Sequence, residues 1–411
     1  IKVTKELIKN SPDAPYLPDL YFRLAELYVE RSRYVYARLI EKRAGTGRTL
    51  SGEKALEVKI AKRLAIETYD KILEDYPSYD QLPKVRFFRA HEYRELGEFE
   101  TMLEQYEKLI EEHPRSRWGL EARLILADHH FDADELEKAR EYYRGILGLP
   151  ESHVSDMARY KLGWIAINQE RFEVALRYFE DAVRSSKKKT RGAVGDARKM
   201  DVKREALMAS AWPFSEVRKP KQAAAYFSRL ADSKTAYVAV LKKLANRYFI
   251  KTEYNAAAKI YRSIVRLSSD AEENIEYVQR IYDAVRNMSK DNPKRYAHAS
   301  SDVRSLVEAL AACEIRCRFD AEQKETLAHN FEILVRDLAT QLHRRARRTK
   351  STRLAALAAR AYKHYLTQFT DAENYRTIQV NRAEALAQAG RFVKAGRQYE
   401  DVAIAEERKK E

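Results

Sequence analysis

Apolar residues recur along this chain at intervals of three and four, twice in succession, with a short polar interruption between. Residues 160–183, YKLGWIAINQERFEVALRYFEDAV, show the pattern well. Leu162-Gly163 belongs to one run, Phe172, Ala175, Phe179 and Ala182 to the next, and Glu170-Arg171 separates them. Spacing of three to four places each run on one helix face, so the stretch predicts two amphipathic helices joined by a tight turn. Small residues at 163, 175 and 182, where bulk would be ordinary, imply that the two helices approach closely, with Phe179 filling the groove towards the next hairpin.

The pattern returns along most of the chain. Leu126-Ala127, Leu136, Ala139, Tyr143 and Ile146 precede it, and before them stand Ala90, Tyr93, Gly97, Phe99, Met102, Tyr106 and Leu109. Leu244-Ala245, Tyr254, Ala257, Tyr261 and Ile264 follow, and near the end come Ala383, Leu386, Gly390, Phe392, Ala395 and Tyr399. A weaker copy holds Ala211, Ala223, Phe227 and Leu230, and a split first copy holds Leu24-Ala25, Tyr28, Ala65, Tyr69 and Ile72. The small residue of the second helix falls at 65, 102, 139, 175, 223, 257 and 395, mostly 34 to 37 residues apart. Two helices of about 14 residues fill that period. No such hairpin can bury both its faces alone, so neighbours must stack.

This pattern resembles the tetratricopeptide repeat family. The usual Trp of the first helix is replaced by Arg86, Arg123 and Arg159, and the closing Pro stands clearly only at Pro77 and Pro114. The resemblance implies an all-α, right-handed superhelical solenoid of about nine to ten hairpins, some degenerate. The endings YDKILEDYPSY and YEKLIEEHPRS are similar to those of repeat units in bacterial envelope proteins, both Tol–Pal-associated proteins and outer-membrane assembly lipoproteins. The run from Tyr160 through an insertion to KREALMASAWPF is similar to repeat proteins of gliding motility.

The expected organisation is a first hairpin with an inserted loop over 13–80 and three regular units over 81–184. A basic insertion follows over 185–204, then two units over 205–270, degenerate repeats over 271–350 and C-terminal repeat-like helices over 351–411. Residues 44–54, AGTGRTLSGEK, read as a mobile loop. The 12 glycines and 10 prolines among 411 residues are few, as a helical chain requires. No apolar run approaches the roughly 18 residues of a membrane span. Membrane association is therefore expected only through partners or through an N-terminal anchor preceding Ile1.

Charge adds a rival reading. Lys and Arg number 77 against 62 Asp and Glu, a net of +15. Lys187, Lys188 and Lys189, with Arg344, Arg345, Arg347 and Arg348, form basic clusters that RNA or an anionic lipid surface would attract. A solvated helix face accounts for the same residues.

Chemistry is sparse. DHHFDAD at 128–134 groups histidines and aspartates, but adjacent side chains diverge by about 100° on a helix, so His129 and His130 do not share an ion. Cys313 and Cys317 read as successive turns of one helix and as buried thiols, a placement poorly suited to a disulfide. No phosphate loop or nucleophile motif is present, so neither an enzyme nor a cofactor or metal site is expected.

In tetratricopeptide proteins the first helix of each unit lines the concave surface. Carried onto this chain, those positions include Phe87, His91, Arg94, Phe131, Tyr160, Trp164, Ile167, Met208 and Trp212. Aromatic and methionine side chains there suit an apolar segment of a partner, and packing between repeats is the plainer alternative. The expected function is a non-enzymatic scaffold holding proteins or peptides of a multiprotein complex. Its expected location is the periplasm or envelope of a bacterium, with the cytoplasm as the alternative.

Overall fold

The computed structural model describes residues 1–46, 52–152, 154–189, 202–290 and 292–407, with all their side chains except those of 39, 41–46, 52–54, 186–189 and 405–407. Among these residues the chain is helical throughout, with two short 3-10 turns and no strand. It divides into two compact units, residues 1–203 and 204–411, each a stack of helical hairpins. The fold class is an all-α helical-repeat solenoid.

In the first unit α1 (Lys2–Asn10) precedes four hairpins. They are α2 (Leu17–Thr46) with α3 (Gly52–Asp75), α4 (Leu82–Leu96) with α5 (Phe99–Glu112), α6 (Arg117–Asp132) with α7 (Leu136–Leu147), and α8 (Ser155–Asn168) with α9 (Phe172–Lys189). Each helix from α2 onward packs on the next as far as α9, and the first helices α4 and α6 also touch. One apolar cluster joins Tyr143 and Ile146 of α7 to Ala127 of α6 and to Ala158, Leu162 and Ile165 of α8. Another joins Tyr106 of α5 to Ala90 of α4 and Ala122 and Leu126 of α6. Every such core is shared between a hairpin and the first helix of its successor. Each large side chain fully buried this way contributes roughly 1.5–3 kcal/mol.

The second unit runs through α10 (Val202–Ala209), α11 (Ala211–Val217), α12 (Ala223–Leu230), α13 (Lys234–Ile250) and α14 (Tyr254–Leu267). It continues with α15 (Ala271–Asn287), α16 (Ala299–Arg316), α17 (Ala321–Thr349), α18 (Thr352–Gln368), α19 (Tyr375–Gln388) and α20 (Phe392–Glu407). Asp270, Asp320 and Ser351 accept a backbone N–H three residues on, which sets the starts of α15, α17 and α18.

The turn inside five hairpins is the same object. Gly97, Asp134, Glu170, Thr252 and Gly390 all have positive φ, between 55° and 82°. The next residue's N–H then donates to the carbonyl five back, as in Glu98 to Tyr93 at 3.0 Å, Arg171 to Ala166 at 2.8 Å and Glu253 to Tyr248 at 2.9 Å. This satisfies carbonyls that the helix end leaves open. Only two of the five positions are glycine. Left-handed backbone costs other residues about 1–2 kcal/mol, so Asp134, Glu170 and Thr252 hold their turns against that cost.

Three expectations are corrected. Residues 44–54 are not one loop: α2 runs to Thr46 and α3 starts at Gly52, while 47–51 lie outside the described residues. The weak copy at 211–230 opens with a broken helix, because Pro213 has no N–H to give the Ala209 carbonyl and α10 stops there. Finally, Cys313 and Cys317 form a disulfide, with Cα atoms 4.7 Å apart. The helical reading failed at Cys317 alone. Helix α16 ends at Arg316, and Cys317 is extended (φ −76°, ψ 144°). Its side chain therefore no longer runs parallel to that of Cys313, and both sulfurs are buried.

Candidate protein-interaction face

In the first unit the first helices α2, α4 and α6 present one connected row of aromatic rings, and α8 adds a separate pair. Phe22 of α2 lies 6.0 Å from Phe88 of α4, and Trp118 of α6 lies 5.2 Å from Phe88 and 4.9 Å from Phe87 between ring centroids. Further along, Tyr160 and Trp164 of α8 meet edge to face at 6.2 Å. Apart from the buried Phe22, these rings are half-buried, packed on one side and open on the other.

Cations sit over this row in a repeating way. Lys84 of α4 stands 4.1 Å from the Phe22 ring, on the preceding first helix, and Lys161 of α8 stands 4.5 Å from Phe131 of α6. In the second unit Arg247 of α13 covers Trp212 of α11 at 4.5 Å. A cation of one first helix thus lies on the aromatic of the one before it, an attraction of about 0.5–1 kcal/mol where exposed. The sequence reading missed Trp118, Lys161 and Arg247. Trp118 lies one turn ahead of the positions carried over from the repeat family, and cation–ring pairs between helices leave no trace in spacing.

The remaining expected contacts are distributed unevenly. Arg94 is exposed and His91 half-buried on α4, where burial pushes the His91 imidazole below its usual range. Phe87 also packs on Tyr106, at 5.6 Å. Ile167 is withdrawn from the face. It is only 4 % exposed, because it is the last apolar residue of α8 before the turn and is taken into the core. Met208 and Trp212 belong to the second unit, half-buried and exposed respectively.

One position on this face controls the interior. Asp128 of α6 accepts the Tyr143 hydroxyl fifteen residues later, and Asn246 of α13 accepts the Tyr261 hydroxyl at the same interval. Burial pushes the Tyr261 phenol up to about 12. Trp164 occupies the equivalent place in α8, and the ring fifteen residues on is Phe179, which has no hydroxyl and meets Trp164 edge to face at 5.9 Å. Trp212 is followed by Phe227 in the same way. At His91 the rule lapses, and the buried Tyr106 hydroxyl has no hydrogen-bond partner.

Residues 79–201 match the family model described as a tetratricopeptide repeat-like domain. That segment is tetratricopeptide-like. No curated protein matches the chain. Among solved structures, PilW, a widely conserved type IV pilus biogenesis factor, is 16% identical, with 61% of this chain and 100% of that one covered and a TM-score of 0.33. PilF of Pseudomonas aeruginosa is 16% identical over 63% and 92%, with a TM-score of 0.30. A tetratricopeptide repeat protein of Parabacteroides merdae is 14% identical over 88% and 99%, with a TM-score of 0.32. At these TM-scores nothing about function is carried over from them.

In the tetratricopeptide-like segment two of the three arginines standing where the family has Trp are paired with carboxylates. Arg86 pairs with Glu112 at 2.7 Å, and Arg159 makes two bonds of 2.7 Å to Glu151. The guanidinium of Arg123 lies where a Cβ on Gly145 would come within 2.9 Å of it. Of the basic clusters, Arg344, Arg345, Arg347 and Arg348 occupy the last two turns of α17, where cations complement the helix dipole. The insertion expected over 185–204 is shorter than that, since α9 runs to Lys189 and α10 starts at Val202; residues 190–201 and the side chains of Lys187, Lys188 and Lys189 lie outside the described residues. Among the described residues no three of His, Cys, Asp and Glu converge as metal ligands would. His130 instead stacks on Tyr142 at 5.5 Å and shares a 2.7 Å hydrogen bond with Glu135.

Proposed function

We propose that this protein is a non-enzymatic scaffold that holds a partner protein or peptide on the face formed by its first helices. The observation that carries this reading is the set of half-buried rings on α4, α6 and α8 with Lys84 and Lys161 over the rings of neighbouring helices. Half-buried aromatics beside a cation suit a segment bearing apolar and acidic side chains, the apolar groups giving affinity and the charges steering approach. The tetratricopeptide-like match over 79–201 supports it, since such domains typically bind proteins.

A bacterial cell-envelope location, in a motility or Tol–Pal-like assembly, is part of the same proposal. The Cys313–Cys317 disulfide supports it, because disulfides persist in oxidising compartments such as the periplasm. The Tyr-Pro ending at Tyr76-Pro77 agrees. No helix among the described residues is long and apolar enough to cross a membrane.

The test is affinity capture from native cells with wild type and a Lys84→Glu/Lys161→Glu double variant, using Lys108→Glu on the exposed side of α5 as control. The reading expects one partner to be retained by wild type and control and lost by the double variant at unchanged circular dichroism. Equal recovery by all three would refute it.

A further inference from the structure

We propose that the cavity between the C-terminal end of α15, the Pro293–Arg295 turn and the C-terminal half of α17 is a binding site for a phosphoryl-bearing anion. The cavity measures about 580 Å³, within the range of small-molecule sites, and a separate cavity beside it on α14 and α16 measures about 610 Å³. Among the described residues Arg286, Lys290, Arg295, Arg344, Arg345 and Arg348 line it, with the carboxylate of Asp337. That carboxylate is already committed. It accepts Arg286 Nη1 at 2.7 Å, the Tyr282 hydroxyl at 2.7 Å and the Gln341 amide at 2.6 Å. Burial opposes its ionisation, but these donors outweigh burial and hold it below the usual carboxylate range.

Arg295 decides the argument. It is only 4 % exposed, yet its guanidinium meets neutral acceptors, donating to the Met288 carbonyl at 2.6 Å and to Gln341 Oε1 at 2.5 Å. A buried charge without a counter-ion is costly, and an anion in the cavity would supply one. Complementing the dipoles of α15 and α17 explains cations at helix ends, at about 0.3–1 kcal/mol each. It does not explain a guanidinium buried on the intervening turn. The neighbouring cavity is also rich in cations, but its half-buried Arg262 is neutralised by the buried Asp302 through two bonds of 2.7 Å. Five of the six cations are arginine, whose planar fork matches phosphoryl oxygens better than an ammonium does. Inorganic phosphate would fill only part of the space, so the ligand is a larger phosphorylated molecule or a lipid headgroup.

The experiment is calorimetric titration of the full chain with inorganic pyrophosphate at constant ionic strength. Wild type is expected to bind at one saturable site, and Lys290→Gln/Arg344→Gln to bind at least tenfold more weakly with unchanged circular dichroism and melting temperature in chloride. Lys259→Gln/Arg304→Gln, in the neighbouring cavity, is expected to bind as wild type does. Co-sedimentation with phosphatidylglycerol vesicles that pyrophosphate reverses identifies a headgroup as the source; its absence beside saturable pyrophosphate binding identifies a free anion. No saturable binding, equal binding by the Lys290/Arg344 variant, citrate binding as tightly as pyrophosphate, or RNA binding that pyrophosphate does not displace would each overturn the proposal. The site shares no residue with the proposed protein-interaction face, so either can fail without the other.

Discussion

The Tyr143 hydroxyl, at the heart of the α6–α7 hairpin, donates to the Asp128 carboxylate, so a residue of the first-helix face also closes the interior of its own repeat. Lys161 of the next hairpin approaches the same carboxylate at 3.5 Å. The polar or aromatic identity of one position and the presence of a hydroxyl fifteen residues later are therefore coupled.

The coupling predicts that two opposite substitutions, one removing a hydroxyl and one adding it, are both destabilising. Tyr143→Phe should cost about 1.5–3 kcal/mol, the worth of a hydrogen bond to a charged group. Phe179→Tyr adds that hydroxyl, but Trp164 is only a donor and cannot accept it. An unpartnered buried hydroxyl should cost about 1–3 kcal/mol. Denaturant unfolding of both variants checks this, and a stabilised Phe179→Tyr would contradict it.

Gly163 is fixed by the same ring. A Cβ placed there would lie 2.5 Å from Cε1 of Phe179 and within 2.8 Å of two further ring atoms. Since Phe179 is fully buried, it has nowhere to retreat. Gly163→Ala is expected to cost about 1–3 kcal/mol through overpacking, although alanine is the better helix former. A gain in melting temperature would show that α8 and α9 are less tightly apposed.

Thr252 offers the reverse effect. A β-branched residue at φ 59° is held in the left-handed region by the hairpin turn. Thr252→Gly should relieve about 1 kcal/mol net of glycine's greater chain entropy, raising the melting temperature by about 2–4 °C. The same substitution at Glu170 is expected to act in the same direction. Calorimetry of both variants is the check.

Glu92 and Lys62 form a pair between α4 and α3 at 3.3 Å, with 2 % and 10 % of their side chains exposed. Burial raises the Glu92 carboxyl above its usual range and Lys62 opposes the rise. Lys62→Met should therefore cost about 3–5 kcal/mol at neutral pH by leaving a buried carboxylate unpaired. A carboxyl whose folded value is raised destabilises above that value and is relieved as pH falls towards the unfolded value near 4.3. The gap between variant and wild type should narrow on acidification from pH 7 to pH 5. A pH-independent gap would mean that lost packing dominates.

Amino-acid pattern alone determined the repeat. Small residues at 65, 139, 175 and 257, apolar runs at three-to-four spacing and scarce glycine and proline imply stacked hairpins, because helix periodicity is local and each hairpin must bury the same faces. The coupling of Trp164 to Phe179 is also visible in the sequence once the frame is known. Tertiary structure decided the rest. Whether Ile167 faces out depended on how the end of α8 meets its turn, and whether Cys317 meets Cys313 depended on a single residue leaving the helix. Lys84 reaches Phe22, and Arg295 reaches Gln341, only because helices far apart in sequence are packed side by side. Charge and ring contacts of that kind form at distances set by packing, and no periodicity in the chain encodes them.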